Sequence, residues 1–176
     1  MRKSILLAAY SFIIFFYSCT KDDLGEQLPP ETHIGTNTFG CLINGKIWNA
    51  KKGSTSVPML NVDHPHSTVF NLFASRCHAS SDRLNSIIEA ISFSILQDTV
   101  KAGIFVLDDV VKRKGSFSSD LTNCYYESND NSSNKLELTY FDTVQRIVSG
   151  RFELHFAARG NCAALDITNG RFDIKY

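Results

Sequence analysis

Within residues 147–158, polar and apolar side chains alternate strictly from Arg151 to Phe156, and this pattern constrains the fold more than any other feature of the chain. The apolar positions are Phe152, Leu154 and Phe156, and the polar positions between them are Arg151, Glu153 and His155. Successive side chains of a β-strand point to opposite faces, so a period of two predicts a strand with one buried and one solvated face. A helix needs an apolar period near 3.6, and no window of the sequence has a persuasive one.

The same period recurs in residues 69–76, 87–96 and 135–141, and residues 103–107 and 124–127 are shorter strand candidates. The side chains expected on the buried faces are Phe70, Leu72, Ala74, Ile91, Phe93, Ile95, Leu136, Leu138 and Tyr140. Polar, turn-forming segments separate these runs. About eight to ten antiparallel strands with short turns predict an all-β fold, an antiparallel β-sandwich, with a barrel-like variant as the alternative.

The dipeptide Asn44-Gly45 lies between two β-favouring runs within residues 39–50. Asn-Gly is the strongest short-range signal for a hairpin with a type I′ turn. A two-residue turn at this point would set Cys41 opposite Trp48. We therefore predict a hairpin at the start of the domain.

Asn169-Gly170 predicts a second hairpin by the same reasoning, over residues 164–176. Its register would set Asp166 opposite Asp173 on the solvated face. Two carboxylates about 5 Å apart are compatible with glycosidase chemistry. Because the pair would lie on a flat face beside basic residues, we interpret it as a solvated surface.

The N-terminus combines a short basic start, an apolar run over residues 5–17 and the dipeptide Ser18-Cys19. The run is shorter than the ~20 residues of a transmembrane helix and fits the apolar region of a signal peptide. Because Ser18-Cys19 stands where the run ends, we predict a lipoprotein signal peptide over residues 1–18, cleaved before a lipidated Cys19. A plain secretory signal cut elsewhere and an uncleaved anchor are the alternatives.

Residues 20–36 are polar, contain Pro29-Pro30 and have no periodicity. Such a composition is typical of a linker. The predicted organisation is a lipidated Cys and flexible linker over residues 19–36, followed by a single β-sandwich domain over residues 37–176. About 140 residues is the usual size of one domain.

The charge balance argues against nucleic acid as a partner. The chain has 18 basic and 18 acidic residues, and removal of the signal takes away only Arg2 and Lys3, which leaves a net charge of −2. A nucleic-acid-binding domain needs a basic surface that this balance does not supply. No sequence motif indicates a cofactor.

Four cysteines remain if Cys19 carries lipid. They are Cys41, Cys77, Cys124 and Cys162. An even number outside the cytoplasm is compatible with two disulfides in any of three connectivities. Buried thiols that behave as small apolar residues are the alternative. The cysteines lack the paired spacing of a zinc site.

Asp63, His64 and His66 are the residues that most resemble metal ligands, with His78 as a further ligand from elsewhere. Imidazole and carboxylate groups bind divalent ions. Pro65 separates the two histidines, however, and the spacing matches no catalytic motif. We therefore interpret this segment as a solvent-exposed polar turn.

Four aromatic residues are candidates for a sugar-stacking surface: Trp48, Tyr125, Tyr126 and Phe141. Trp48 is expected to pack beside Cys41 in the core instead. The adjacent tyrosines should point to opposite faces of a strand, which would leave one exposed. A hydrolase is disfavoured because the chain has no G-x-S-x-G motif. Moreover, the neighbours Cys77 and His78 would point to opposite faces.

The motifs NGKIW at residues 44–48, SGRF at 149–152 and ITNGRF at 167–172 resemble a family of uncharacterised Bacteroidota lipoproteins of the DUF6252-like kind. The resemblance covers most of residues 37–176. It implies an all-β fold and a place in the cell envelope. It implies no activity, because the family has none assigned.

Two further patterns resemble signals of the same bacterial group. Lys21-Asp22-Asp23 is similar to the signal that sends lipoproteins to the outer face of the outer membrane. Thr99 and Thr143 lie in Asp-Thr-Val triplets that resemble O-glycosylation acceptors.

We therefore expect a lipid-anchored, non-enzymatic structural or interaction module of the cell envelope. It should reside at the outer membrane and face outward. Its expected partners are the membrane, through the lipid, and an envelope protein or glycan. The alternative is a surface protein that binds a glycan or similar nutrient, which requires a concave patch with exposed aromatic side chains.

Overall fold

The computed structural model describes residues 26–51, 59–64, 67–78, 87–128 and 133–176. These residues form strands and connecting loops without a helix. The signal peptide, Cys19, Lys21-Asp22-Asp23 and His66 lie outside them. The eleven strands are β1 (Thr38–Ile43), β2 (Lys46–Asn49), β3 (Leu60–Asp63), β4 (Val69–His78), β5 (Ile87–Leu96), β6 (Gly103–Val106), β7 (Arg113–Ser119), β8 (Cys124–Glu127), β9 (Lys135–Asp142), β10 (Ile147–Phe156) and β11 (Leu165–Lys175).

The strands form two antiparallel sheets, which confirms the predicted β-sandwich class. The six-stranded sheet has the order β2-β1-β11-β10-β9-β6, and the five-stranded sheet has the order β3-β4-β5-β7-β8. Both sheets have open edges in the described part of the chain, so the barrel-like variant is not formed. Sequence analysis missed β3 and β7. The first has only four residues, and the second (RKGSFSS) contains one large apolar side chain.

The core lies between the sheets and is filled largely by the side chains that the alternation placed there, with Tyr140 as the exception described below. Phe93 of the five-stranded sheet packs against Phe152 of the six-stranded sheet, with ring centroids 5.0 Å apart. Phe39 lies 4.8 Å from the same ring. All three are almost completely buried. Aromatic contacts of this kind add to the stabilisation from apolar burial.

The first predicted hairpin is confirmed in its register. β1 and β2 pair with Cys41 opposite Trp48. Asn44 and Gly45 both have positive φ, at 48° and 77°. A type I′ turn requires positive φ at both central positions, which explains the Asn-Gly sequence.

The second predicted hairpin is wrong. Residues 165–175 form one continuous strand, β11, with β1 on one side and β10 on the other. Asn169 has a φ of 52°, and the register shifts beside it, so the dipeptide marks a β-bulge. Gly170 is required because its inner face lies against Phe152, where a Cβ atom would come within 2.5 Å of the ring.

The carboxylate pair predicted from that hairpin is therefore not formed. Asp166 lies opposite His155, and its Oδ1 is 2.9 Å from the imidazole Nδ1. Asp173 lies opposite Ser149, seven residues further along β11. The two aspartates are thus about 20 Å apart along the strand.

A second bulge corrects the prediction for Tyr140. The pairing of β9 with β10 shifts at Thr139, between Leu138 and Tyr140. The extra residue reverses the faces, so Tyr140 points outward and stacks on His33, while Phe141 turns inward against Phe70.

The strap, defined here as residues 26–36, runs across the outer face of the six-stranded sheet. Asn49 of β2 donates a hydrogen bond to the Gln27 carbonyl (2.8 Å), and Arg151 of β10 donates to Glu31 (3.0 Å). The His33 ring then reaches β9, where it stacks on Tyr140. The strap coincides with the second half of the predicted linker, and these contacts hold it to the domain.

The carboxylate of Asp173 fixes the end of the strap. This buried side chain accepts hydrogen bonds from backbone and side-chain groups of the strap and from one side chain of β10. The donors are the backbone N–H groups of Ile34 (3.2 Å), Gly35 (2.9 Å) and Thr36 (3.0 Å), and the hydroxyl groups of Thr32 (2.6 Å), Thr36 (3.0 Å) and Ser149 (2.8 Å). Burial on its own would raise the pKa of Asp173, but these donors outweigh it and hold the pKa well below the usual range.

We predict that Asp173→Asn lowers the free energy of unfolding at pH 7 by about 2–3 kcal/mol, because an amide cannot accept all of these hydrogen bonds. The folded-state pKa of Asp173 is depressed, so its contribution is present above about pH 4 and is lost as pH falls toward the folded-state pKa. The variant should therefore lose less stability than the wild type between pH 7 and pH 3. Urea unfolding at both pH values measures this.

Asp166→Asn on the same strand is the matched control. Its carboxylate is exposed, so the change in stability should stay below about 0.5 kcal/mol. Equal stability of Asp173→Asn and the wild type at pH 7 would contradict the proposed role of the carboxylate.

Candidate functional site

The structure separates the four aromatic candidates. Trp48 is 3% exposed and donates its indole Nε1–H to Glu89 (3.0 Å), inside the sandwich. Phe141 packs against the core. Tyr125 is 58% exposed, whereas Tyr126 is 8% exposed, as the alternation along β8 predicts. Among these four residues, Tyr125 alone presents a ring to solvent.

Tyr125 borders a cleft of about 240 Å³ between β8 and the end of β10. One wall is β8, the edge strand of the five-stranded sheet. The other wall is the segment that follows β10 of the six-stranded sheet. The lining residues are Tyr125, Tyr126, Glu127, Phe156, Ala157, Ala158 and Arg159. We refer to this site as the Tyr125 cleft.

Covalent and polar links brace the two walls of the Tyr125 cleft. Cys124 at the start of β8 forms a disulfide with Cys162. The hydroxyl of Tyr126 donates a hydrogen bond to the Ala163 carbonyl, at 2.7 Å. Arg159 and Cys162 exchange backbone hydrogen bonds of 2.9 and 3.0 Å. The segment that carries Arg159 is thereby held against β8.

The sequence allowed two disulfides in any of three connectivities. The structure contains a disulfide between Cys124 and Cys162. Cys41 is a buried thiol, and its burial, helped by the nearby Glu89 carboxylate, raises its pKa well above the usual range. Cys41 thus behaves as a small apolar residue. Cys77 is half-buried near the end of β4.

The charges around the cleft are unevenly compensated. Glu127 accepts hydrogen bonds from Lys114 Nζ at 3.0 Å and from the Tyr125 hydroxyl at 3.3 Å. Its charge is therefore balanced by Lys114. Arg159 is exposed and has no ion-pair partner among the residues that the structure describes. The cleft accordingly carries the positive charge of one guanidinium.

The candidate metal ligands are not brought together within the described residues. The imidazole of His64 makes a 2.6 Å hydrogen bond with the Val69 carbonyl, which requires its Nδ1 to carry the proton. His78 lies at the other end of β4, about 30 Å along the strand. No group of three His, Cys, Asp or Glu side chains in the described part of the chain could hold a metal ion.

A polar cluster around Glu89 was missed by sequence analysis, because Glu89 lies in a run that reads simply as a strand. Its carboxylate accepts hydrogen bonds from Trp48, from Ser119 Oγ at 3.2 Å and from His78 Nε2 at 2.9 Å. His78 and Ser119 thus contact the carboxylate rather than each other. The Glu89 carboxylate thereby links side chains of β2, β4 and β7 at one end of the core.

The two glycosylation candidates occupy loops on the surface. Thr99 follows β5 and donates its hydroxyl to the Asp98 carbonyl at 2.8 Å. Thr143 lies in the turn between β9 and β10. Both residues are exposed, as an O-linked glycan requires.

Comparisons of this chain with protein-family models, with curated proteins and with solved structures find no match. The family resemblance based on the NGKIW, SGRF and ITNGRF motifs therefore stays a prediction. The described residues contain no helix with the length and apolarity needed to span a membrane.

We predict that loss of the disulfide destabilises the domain and loosens the cleft. The cysteines are 38 residues apart in sequence, and opening a loop of that length costs about 3–4 kcal/mol in the chain-entropy description. Cys162→Ser should lower the urea midpoint, and dithiothreitol should lower the midpoint of the wild type similarly. The variant serves as the control for the reductant, since its midpoint should not respond to it. A wild-type midpoint that is insensitive to dithiothreitol would refute the prediction.

Proposed function

We propose that this protein is a lipid-anchored, non-enzymatic interaction module at the outer membrane, with its domain facing the outside of the cell. The Ser18-Cys19 junction after the apolar run supports the anchor. Lys21-Asp22-Asp23 supports the outward orientation. The resemblance to Bacteroidota lipoproteins supports the place in the envelope.

The strap is the observation that carries this proposal. It lies between the anchor and the sandwich, and the Asp173 carboxylate fixes it to the central strands of the six-stranded sheet. Six residues lie between Cys19 and Glu26, so the chain takes seven residue steps from the anchor to the start of the strap. An extended chain of that length spans at most about 25 Å. The domain is therefore built to be held close to its point of attachment.

The first experiment tests the anchor. Wild type and Cys19→Ala are expressed in a Bacteroidota host and labelled with an alkyne-modified fatty acid. The wild type should incorporate label and sediment with membranes, and Cys19→Ala should do neither. Ser18→Ala, which keeps a small residue before the cleavage point, is the matched control and should behave as the wild type. Labelling of Cys19→Ala, or an unlabelled wild type, would contradict the proposal that lipid is attached at Cys19.

The second experiment tests the orientation. Protease added to intact cells should degrade the wild-type domain. Replacement of Lys21, Asp22 and Asp23 by alanine should leave the protein in the membrane fraction but protect it from the protease. Protection of the wild type in intact cells, with degradation after lysis, would place the domain in the periplasm instead.

The Tyr125 cleft favours a second candidate function, a surface protein that binds glycans. Its exposed aromatic ring and nearby polar groups match the requirements of a sugar site. The interaction module and the glycan-binding protein share the proposed anchor and differ in what they bind. A measurement of glycan binding at the cleft distinguishes them.

A further inference from the structure

We infer that the Tyr125 cleft binds a sugar ring that carries a carboxylate, such as a uronic acid residue of a polysaccharide. This inference deepens the glycan-binding candidate and rests on it. Four observations support it: the size of the cleft, the orientation of the Tyr125 ring, the charge of Arg159, which no carboxylate among the described residues pairs with, and the bracing of the walls.

The size of the cleft selects a small ligand. Sites for drug-sized molecules occupy about 300–1,000 Å³, and this cleft has about 240 Å³. It is also open to solvent at the sheet edge. One sugar ring fits this space, and neighbouring rings of a chain would extend into solvent.

The Tyr125 ring supplies the apolar surface. It is 58% exposed, and its hydroxyl donates to Glu127 Oε1 at 3.3 Å. This hydrogen bond orients the ring before a ligand arrives. An oriented aromatic ring offers a flat apolar face to the C–H groups of a sugar while its polar edge stays hydrated.

Arg159 supplies the selection for an acidic ligand. Its guanidinium is exposed and has no carboxylate partner among the described residues. Guanidinium groups bind carboxylates through two parallel charge-assisted hydrogen bonds. The Glu127 charge is already balanced by Lys114 at 3.0 Å, so it does not cancel the attraction. A neutral sugar would offer the guanidinium only hydroxyl groups, which bind it more weakly than a carboxylate does.

The bracing of the walls reduces the cost of binding. The backbone of Arg159 is fixed by its two hydrogen bonds to Cys162, and Cys162 is joined to β8 by the disulfide. Tyr125 directly follows Cys124 in β8. The backbones that carry Tyr125 and Arg159 are therefore held in place on the two walls, and a preorganised site loses less conformational entropy on binding.

The test uses the full-length protein in a zwitterionic detergent, because a detergent with a sugar headgroup would compete for the cleft. Isothermal titration calorimetry compares a galacturonate trisaccharide with a neutral galactose trisaccharide. The wild type should prefer the acidic ligand by about 10- to 100-fold, the range expected for hydrogen bonds to a charged group. The preference should shrink as salt is added.

The variants separate the two contributions. Arg159→Gln should abolish the preference and leave weak, equal binding of both trisaccharides. Arg159→Lys should retain part of it, since the charge remains without the bidentate geometry. Tyr125→Ala should weaken both ligands alike. Arg171→Gln, on the outer face of the other sheet, is the matched control and should bind as the wild type does. Thermal unfolding of each variant verifies that it is folded.

The outcomes distinguish this inference from the functions on which it rests. Equal wild-type affinity for the acidic and neutral ligands would overturn the selection for acid and leave the glycan-binding candidate standing. Binding of a sulfated trisaccharide without binding of galacturonate would contradict the inference that the acidic group of the ligand is a carboxylate. Binding of none of these would overturn both the inference and the glycan-binding candidate. The anchor would be unaffected, because fatty-acid labelling measures it independently.

Discussion

The burial of the Asp173 carboxylate is the interaction on which the outer face of the six-stranded sheet depends. A charged group in the middle of a sheet is costly unless hydrogen-bond donors surround it. The strap provides most of these donors, and Ser149 of β10 provides another. The strap and the sheet are therefore mutually dependent, since without the strap Asp173 would lose its donors. Because the carboxylate is satisfied only in this arrangement, it specifies the path of the strap as well as stabilising it.

The strap and the Tyr125 cleft use separate parts of the sandwich. The strap begins beside β4, where Glu26 pairs with Arg76 at 3.3 Å. The Tyr125 cleft lies at the β8 edge of the same five-stranded sheet. One element is held by a buried carboxylate and the other by a disulfide, so each can be disrupted without removal of the other. This separation is compatible with the proposed module, which would be anchored through the strap and would present the cleft.

Alternation along the sequence predicted the strands and most of their buried faces, because side-chain direction in a strand follows from local geometry. The first hairpin also followed from local signals, and Cys41 lies opposite Trp48 as predicted. The same signal failed at Asn169-Gly170. An Asn-Gly dipeptide reports a need for positive φ, and a β-bulge can satisfy that need as well as a turn. The pairing of β11 with β1 and β10 on its two sides decided between them.

The sequence by itself determined the strand-forming segments, the β-sandwich class and the alternating exposure of Tyr125 and Tyr126, since these depend on neighbours along the chain. Only the tertiary structure decided that Asp173 is buried, that the strap belongs to the domain and that Arg159 stands across a cleft from Tyr125. Each of these depends on contacts between residues far apart in sequence. Asp173 and Thr36, for example, are separated by 137 positions. Local patterns carry no information about such contacts. A polar residue in a strand produces the same sequence pattern whether its hydrogen-bond partner is water or a distant backbone group.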